Sequence, residues 1–332
     1  MMDMRKTYNR CGFAVFGVAA TVAVASLILG IVAGILGDAA NGFLAIYQKY
    51  ILLFNEAVIA LSILIGALIL SGAKSEGPEK AKIPTKTFIM ILCVCFPIGA
   101  VGNIIGNVWI SVWNLLTGNQ VTNQLTEIML SLPPWQVALC TGLLAPILEE
   151  LFFRKLLIDR LYRHGELAAI LTSAIFFGLI HQNFSQFFYA FGVGVILGYL
   201  YCKTRSYIAV TLAHVIFNII MGVIPAILSP KVILFLVAIQ EMQEDALMEA
   251  LPSIIGEYGV TLVLYLLYLL VMGALNVAGI IILLANLKKI KIEQNAPDVP
   301  AVEKRKAILT NPGCICAAVL LIALMVASLF IS

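Results

Sequence analysis

Apolar residues run along this chain in long stretches broken by short polar punctuation. Read against those breaks, they give candidate spans near 12–36, 51–72, 87–116, 135–158, 166–182, 186–202, 207–228, 258–287 and 311–331. Several reach the roughly 20 residues that a helix needs to cross the hydrocarbon core of a bilayer. Backbone groups in lipid must be satisfied within the segment, so helices are the expected answer. The pattern predicts an all-α, polytopic transmembrane helix bundle of about 8–9 spans, with residues 1–332 forming a single membrane domain.

Composition agrees. The chain is 61% hydrophobic and 12% charged, with a mean hydropathy of +1.02, far from the usage of water-soluble domains. The net charge of +3 gives no reason to expect a nucleic-acid partner, because the basic residues form no stripe on a soluble face. Their placement sets topology instead, since Lys and Arg concentrate on the cytoplasmic side. With the N-terminus inside, nineteen of the 21 basic residues fall in inner segments, around Arg5–Arg10, Lys74–Lys86, Arg154–Arg163, Lys203–Arg205 and Lys288–Lys306; Lys49 and Lys231 fall outside. Nine spans with the C-terminus outside satisfy both hydropathy and charge.

Several segments qualify the picture. Val232–Ile239 is too short to cross and reads as an outer loop or surface-lying helix with Glu241, Glu244, Asp245, Glu249 and Glu257. Residues 288–306, with Pro297 and Pro300, read as a cytoplasmic linker before the last span. The first apolar stretch follows Arg5, Lys6 and Arg10 and is too long for a signal-peptide core, so it reads as a retained span. The seven cysteines lack metal spacing and read as apolar packing residues. Gly102xxxGly106 and Gly194xxxGly198 read as seams that let helices approach, and Asn103 and Asn107 as hydrogen-bonding residues between helices. Asn55 and Glu56 start the second span and carry no expected catalytic role. His164, beside Arg160 and Arg163, reads as solvated.

Ionisable groups inside spans are costly and mark function by default. The fourth span ends in Glu149-Glu150-Leu-Phe-Phe-Arg154. Glu150 and Arg154, four apart, share a helix face and can pair; Glu149 points about 100° away. Two like groups in unlike surroundings are the pattern of an acid/base site, against the blander reading of a helix end anchored by a salt bridge. Of the three histidines, His181 and His214 lie in apolar segments, and His214 shares a face with Asn218, four residues on. A lone histidine in a span is usually a packing residue. Two of them with a carboxylate pair and an in-register Asn, in a chain so poor in polar groups, point to a site.

The ordered set EExxxR (Glu149, Glu150, Arg154), FxxxH (Phe177, His181) and HxxxN (His214, Asn218) resembles the signature of the CPBP (Abi) family of intramembrane proteases, which includes the type II CAAX prenyl endopeptidases and many bacterial proteins. The segment Gly194–Thr204 leading to Ser206 resembles that family as well, and the likeness covers a catalytic core of roughly 134–222. The resemblance implies that Glu149 with His181 activates a water, that Glu150 with Arg154 holds the first carboxylate, and that His214 with Asn218 donates hydrogen bonds to the developing oxyanion. It also implies a multi-pass protein of a bacterial plasma membrane. Its partners would be the lipid bilayer and a substrate that is a CAAX-like lipidated protein, a membrane-anchored precursor, or a bacteriocin or pheromone peptide.

No cofactor is expected, because HExxH is absent; a zinc held by Glu149, His181 and His214 is the alternative. By depth, Glu149 and His214 sit about 8–12 Å from the inner face at ~1.5 Å per residue, whereas His181 lies too far out unless the fifth helix starts in the cytosol or tilts and the His181–Gln186 connection is buried. Two other classes compete: a non-catalytic immunity or scaffold protein that keeps these residues as a packed network, and an ion-coupled transporter. The transporter reading lacks internal repeats and paired broken helices.

Overall fold

An apolar backbone in lipid has no water to bond with, and this chain answers with helices throughout. The computed structural model describes residues 2–37, 41–122, 124–240, 244–293 and 299–330, with no strand among them. The helices are α1 (Met2–Leu36), α2 (Asn41–Lys49), α3 (Ile51–Leu70), α4 (Thr85–Thr117), α5 (Gln124–Ser131), α6 (Pro134–His164), α7 (Glu166–Leu179), α8 (Phe184–Thr204), α9 (Tyr207–Gln240), α10 (Glu244–Asn286), α11 (Ala301–Leu309) and α12 (Pro312–Ala327). Seven of them are long and apolar enough to cross a membrane: α1, α3, α4, α6, α8, α9 and α10. An eighth span is possible if α11 and α12, bent by 58° at their junction, count as one. The polytopic all-helical bundle is as the hydropathy predicts.

The fifth expected span departs from its prediction. α7 has 14 residues, about 21 Å of helix, less than the bilayer core. Protein covers it instead: Ala169, Ile170, Ala174, Phe176, Phe177 and Leu179 are all buried. Beyond it the chain turns through Gln182, at φ +56°, and Asn183 caps α8 by accepting a hydrogen bond from Gln186 N at 2.8 Å. Asn183 also donates to His181 O and to Gln186 Oε1, both at 2.8 Å. This one side chain satisfies polar groups that would otherwise be stranded at that depth, which non-helical backbone in a membrane requires.

Elsewhere the differences are matters of length and facing. Val232–Ile239 is neither a loop nor a separate surface helix; it continues α9, a helix of 34 residues. Glu241 of the expected acidic segment lies outside the described residues, as does Pro297 in the expected linker, while α11 occupies the end of that linker from Ala301. Asn107 bonds within its own helix, donating to Asn103 Oδ1 at 2.8 Å and to Asn103 O at 2.9 Å. His164 is not solvated: it is 7% exposed, with its ring 6.2 Å from that of Tyr8, because α1 packs over the end of α6.

The small-residue seams behave as expected. A Cβ on Gly102 would lie 2.4 Å from Tyr189 Cα, and one on Gly194 would lie 3.0 Å from Phe177 Cδ1. α8 is therefore clamped between α4 and α7. At one end of the bundle the basic segments meet. Asp159 accepts from Tyr201 Oη and Lys155 Nζ, each at 2.7 Å, and its carbonyl accepts from Glu76 N at 2.8 Å. Arg163 pairs with Asp3 at 2.7 Å, and Lys203 with Glu166 at 2.8 Å. Asn311 donates to Arg5 O at 2.8 Å. Segments far apart in sequence but alike in charge are thus fixed to the same pole.

Candidate active site

α6 supplies the paired carboxylates, and its geometry is unusual where they sit. Pro146 has no N–H to give the preceding turn, and just upstream the helix widens into a π segment, Ala138–Leu144. Thr141 O accepts from Asn218 Nδ2 on α9 at 2.9 Å. A second π segment, Leu151–Ile158, follows the carboxylates, and a third, Ile219–Val223, follows Asn218 in α9. Such insertions are frequent at functional sites. The first and third meet where Gly142 faces Val223: a Cβ there would lie 3.1 Å from Val223 Cγ2.

The two neighbouring glutamates part company as their angular offset predicts. Glu150 is fully buried, with Oε2 3.1 Å from Arg154 Nε and Oε1 2.8 Å from His214 Nδ1. Arg154, also fully buried, donates to Gly194 O at 3.3 Å and stacks 4.5 Å over the Phe177 ring. The pairing with Arg154 is the expected one, but Glu150 orients His214 rather than Glu149. Glu149 faces a cavity of about 210 Å³ that is also lined by His181, His214 and Asn218. Its Oε2 is 3.7 Å from His214 Nε2, beyond a direct hydrogen bond.

His181 hangs at the end of α7, its Nδ1 2.8 Å from Phe177 O. That carbonyl can only accept, so Nδ1 carries the proton and Nε2 is left as an acceptor. The Phe177 ring lies edge-on to both imidazoles, at 5.2 Å from His181 and 5.8 Å from His214. His181 sits just past the final turn of α7 and lines the same cavity as Glu149. Glu149 lies ten residues before Asp159, about 15 Å along α6 from the polar pole at 1.5 Å per residue, somewhat deeper than the sequence count suggests.

All six expected site residues, Glu149, Glu150, Arg154, His181, His214 and Asn218, therefore belong to one connected arrangement. Sequence reading missed others. Glu56 and Asn55 of α3 line the same cavity, although their place near a helix start suggested an interfacial position. Gln186 and Tyr189 of α8 line it too, and a buried Gln in an apolar span was the available signal. A second hollow of about 280 Å³ shares Thr141, Gln186, Tyr189, Phe217 and Asn218 with the first, so the space continues past Asn218 toward α5. Among the described residues no three His, Cys, Asp or Glu side chains come together so as to hold a metal ion.

Comparison with known proteins bears on the same stretch. A family model described as "Type II CAAX prenyl endopeptidase Rce1-like" matches residues 131–220. A Bacillus subtilis (strain 168) protein named "Putative membrane peptidase YdiL" is 24% identical over 116 residues, covering 35% of this chain. The chain spans about half of that relative's length, 47%. No solved structure matches. The family match falls on the stretch that carries EExxxR, FxxxH and HxxxN.

Proposed function

We propose that this chain, whose residues 131–220 match the type II CAAX prenyl endopeptidase family, is an intramembrane endopeptidase that hydrolyses a peptide bond toward the cytoplasmic side of the bilayer. The reading is carried by the convergence of Glu149, His181, His214 and Asn218 on one cavity. Glu149 takes a proton from a water that His181 Nε2 helps to orient, and the hydroxide attacks the scissile carbonyl carbon. Glu149 then returns the proton to the leaving amine, a general base turned general acid.

The oxyanion of the tetrahedral intermediate receives hydrogen bonds from Asn218 Nδ2, which keeps one N–H beyond its bond to Thr141, and from His214 Nε2. Glu150 holds His214 at Nδ1, which leaves Nε2 as the ring nitrogen on the side of Glu149. Fixed donors of this kind act strongly in a site of low dielectric. The Glu150–Arg154 pair holds the His214 ring in place. Substrates are peptides or lipidated proteins presented from the membrane. The gathering of basic segments at one pole supports a cytoplasmic N-terminus.

The test is comparative peptidomics of membranes from cells expressing the wild-type chain or Glu149→Gln. New peptide termini present only with the wild type support the reading, and identical peptidomes sink it. A non-catalytic immunity role predicts that Glu149→Gln keeps its biological effect. A metal-dependent variant of the same chemistry predicts that a chelator stops cleavage by purified protein and that zinc restores it.

A further inference from the structure

Glu56 stands on the second turn of α3 and is 9% exposed, and its Oε2 has no hydrogen-bond partner among the described residues. A carboxyl oxygen left unpartnered against apolar walls is costly, and such groups are held where a ligand completes them. This one lines the cavity that holds Glu149, His181 and His214. No Lys or Arg lines that cavity, and the nearby Arg154 is buried behind Glu150. The chamber thus presents two acidic side chains to whatever enters it, with no fixed cation to balance either one. Glu149 is assigned to the water, so Glu56 is free to meet the substrate.

We propose that Glu56 is a specificity-determining residue that binds a cationic side chain, lysine or arginine, next to the scissile bond. A Lys or Arg stem is apolar and carries its charge at the tip, suited to pass Leu52 and Ile59 and end on the Glu56 carboxylate. Asn55, on the same wall, offers an amide oxygen as a second acceptor. The inference rests on the protease reading and adds the charge of the residue it selects.

The experiment uses purified full-length protein in liposomes and a set of membrane-anchored peptides in which each position flanking the cut is Lys, Arg, norleucine or Glu, with cut sites read by mass spectrometry. The wild type is expected to cut the Lys or Arg peptide roughly tenfold or more faster in kcat/KM than its norleucine twin, a difference carried mainly in KM. Glu56→Gln removes that preference while the norleucine peptide is cut as before, Glu56→Asp retains part of it, and Glu56→Lys shifts it toward Glu. Absence of charge preference in the wild type overturns the inference, even if the variants fail to accumulate. So does Glu56→Gln slowing every peptide equally through kcat, which would assign Glu56 to proton transfer with Glu149, or a chelator abolishing the preference, which would make Glu56 a metal ligand. If the wild type cuts none of the peptides, the protease reading fails and this inference falls with it; cutting without charge preference removes the inference alone.

Discussion

Two parts of this bundle use the same apolar alphabet in opposite ways. In α8 half of the most apolar window is buried inside the protein, and in α6 44% is, whereas the figures for α9 and for α10 from Ala250 on are 6% and 11%. α6 and α8, with the lower half of α9 and short α7, enclose Glu150, Arg154, His214 and Gln186 behind Phe152, Phe177 and Phe217. α10 keeps leucines and valines turned outward, as with Leu270 at 70% and Val260 at 74% exposure. The contrast teaches that hydropathy alone marks a crossing, while enclosure by neighbouring helices decides whether a polar group can live in it.

Substitutions can break or sharpen that contrast. The largest expected effect is functional: Glu149→Gln lowers peptide cleavage by roughly 10²–10⁴-fold, with accumulation and melting in detergent unchanged. A variant that cuts normally would reduce the enclosed region to mere packing. Next comes Arg154→Leu, which strands Glu150 in a fully buried position and should cost about 3–5 kcal/mol, read as a lower melting temperature. Glu150→Leu with Arg154→Leu should recover much of that stability yet stay inactive, because His214 loses its anchor.

A matched pair then compares the two regions directly. Gly102→Leu must push into the Tyr189 backbone and should cost about 1–3 kcal/mol, while Gly273→Leu on α10, with nothing within 4 Å of its Cβ, should stay within about 0.5 kcal/mol. Equal losses at the two glycines would mean that a partner covers α10. Smallest of all, Leu270→Ala should leave both melting and cleavage within about 0.5 kcal/mol of wild type.

Much of this was legible in the chain because its signals are local. Four-residue spacing placed Glu150 with Arg154, rarity singled out His181 and His214, and Gly194 with Gly198 announced the close approach of α8 and α7. What escaped depends on where a helix stops and which way it faces after a disturbance. Nothing in residues 166–182 says that the helix ends at Leu179, because the tight turn at Gln182 and the cap at Asn183 pay out only within the assembled bundle. Glu56 was assigned to an interface by counting from the start of its helix, yet the cavity reaches down to meet it. His164 reads as solvated just after two arginines because the covering residue, Tyr8, comes from the far N-terminal helix. The Glu150–Arg154 pair is legible from spacing, but the bond from Glu150 to His214 is not, because it joins helices at positions 64 residues apart in sequence.

The widened turn at Ala138–Leu144 carries a consequence for reading relatives of this protein. It holds one residue more than an ordinary helical turn would, and everything after it is rotated by about 100° relative to a regular helix. Losing a single residue between Pro134 and Pro146 would spell every signature letter correctly and still swing Glu149 out of its chamber toward the lipid. Silence in such a protein would be written in its length, where no comparison of motif letters looks.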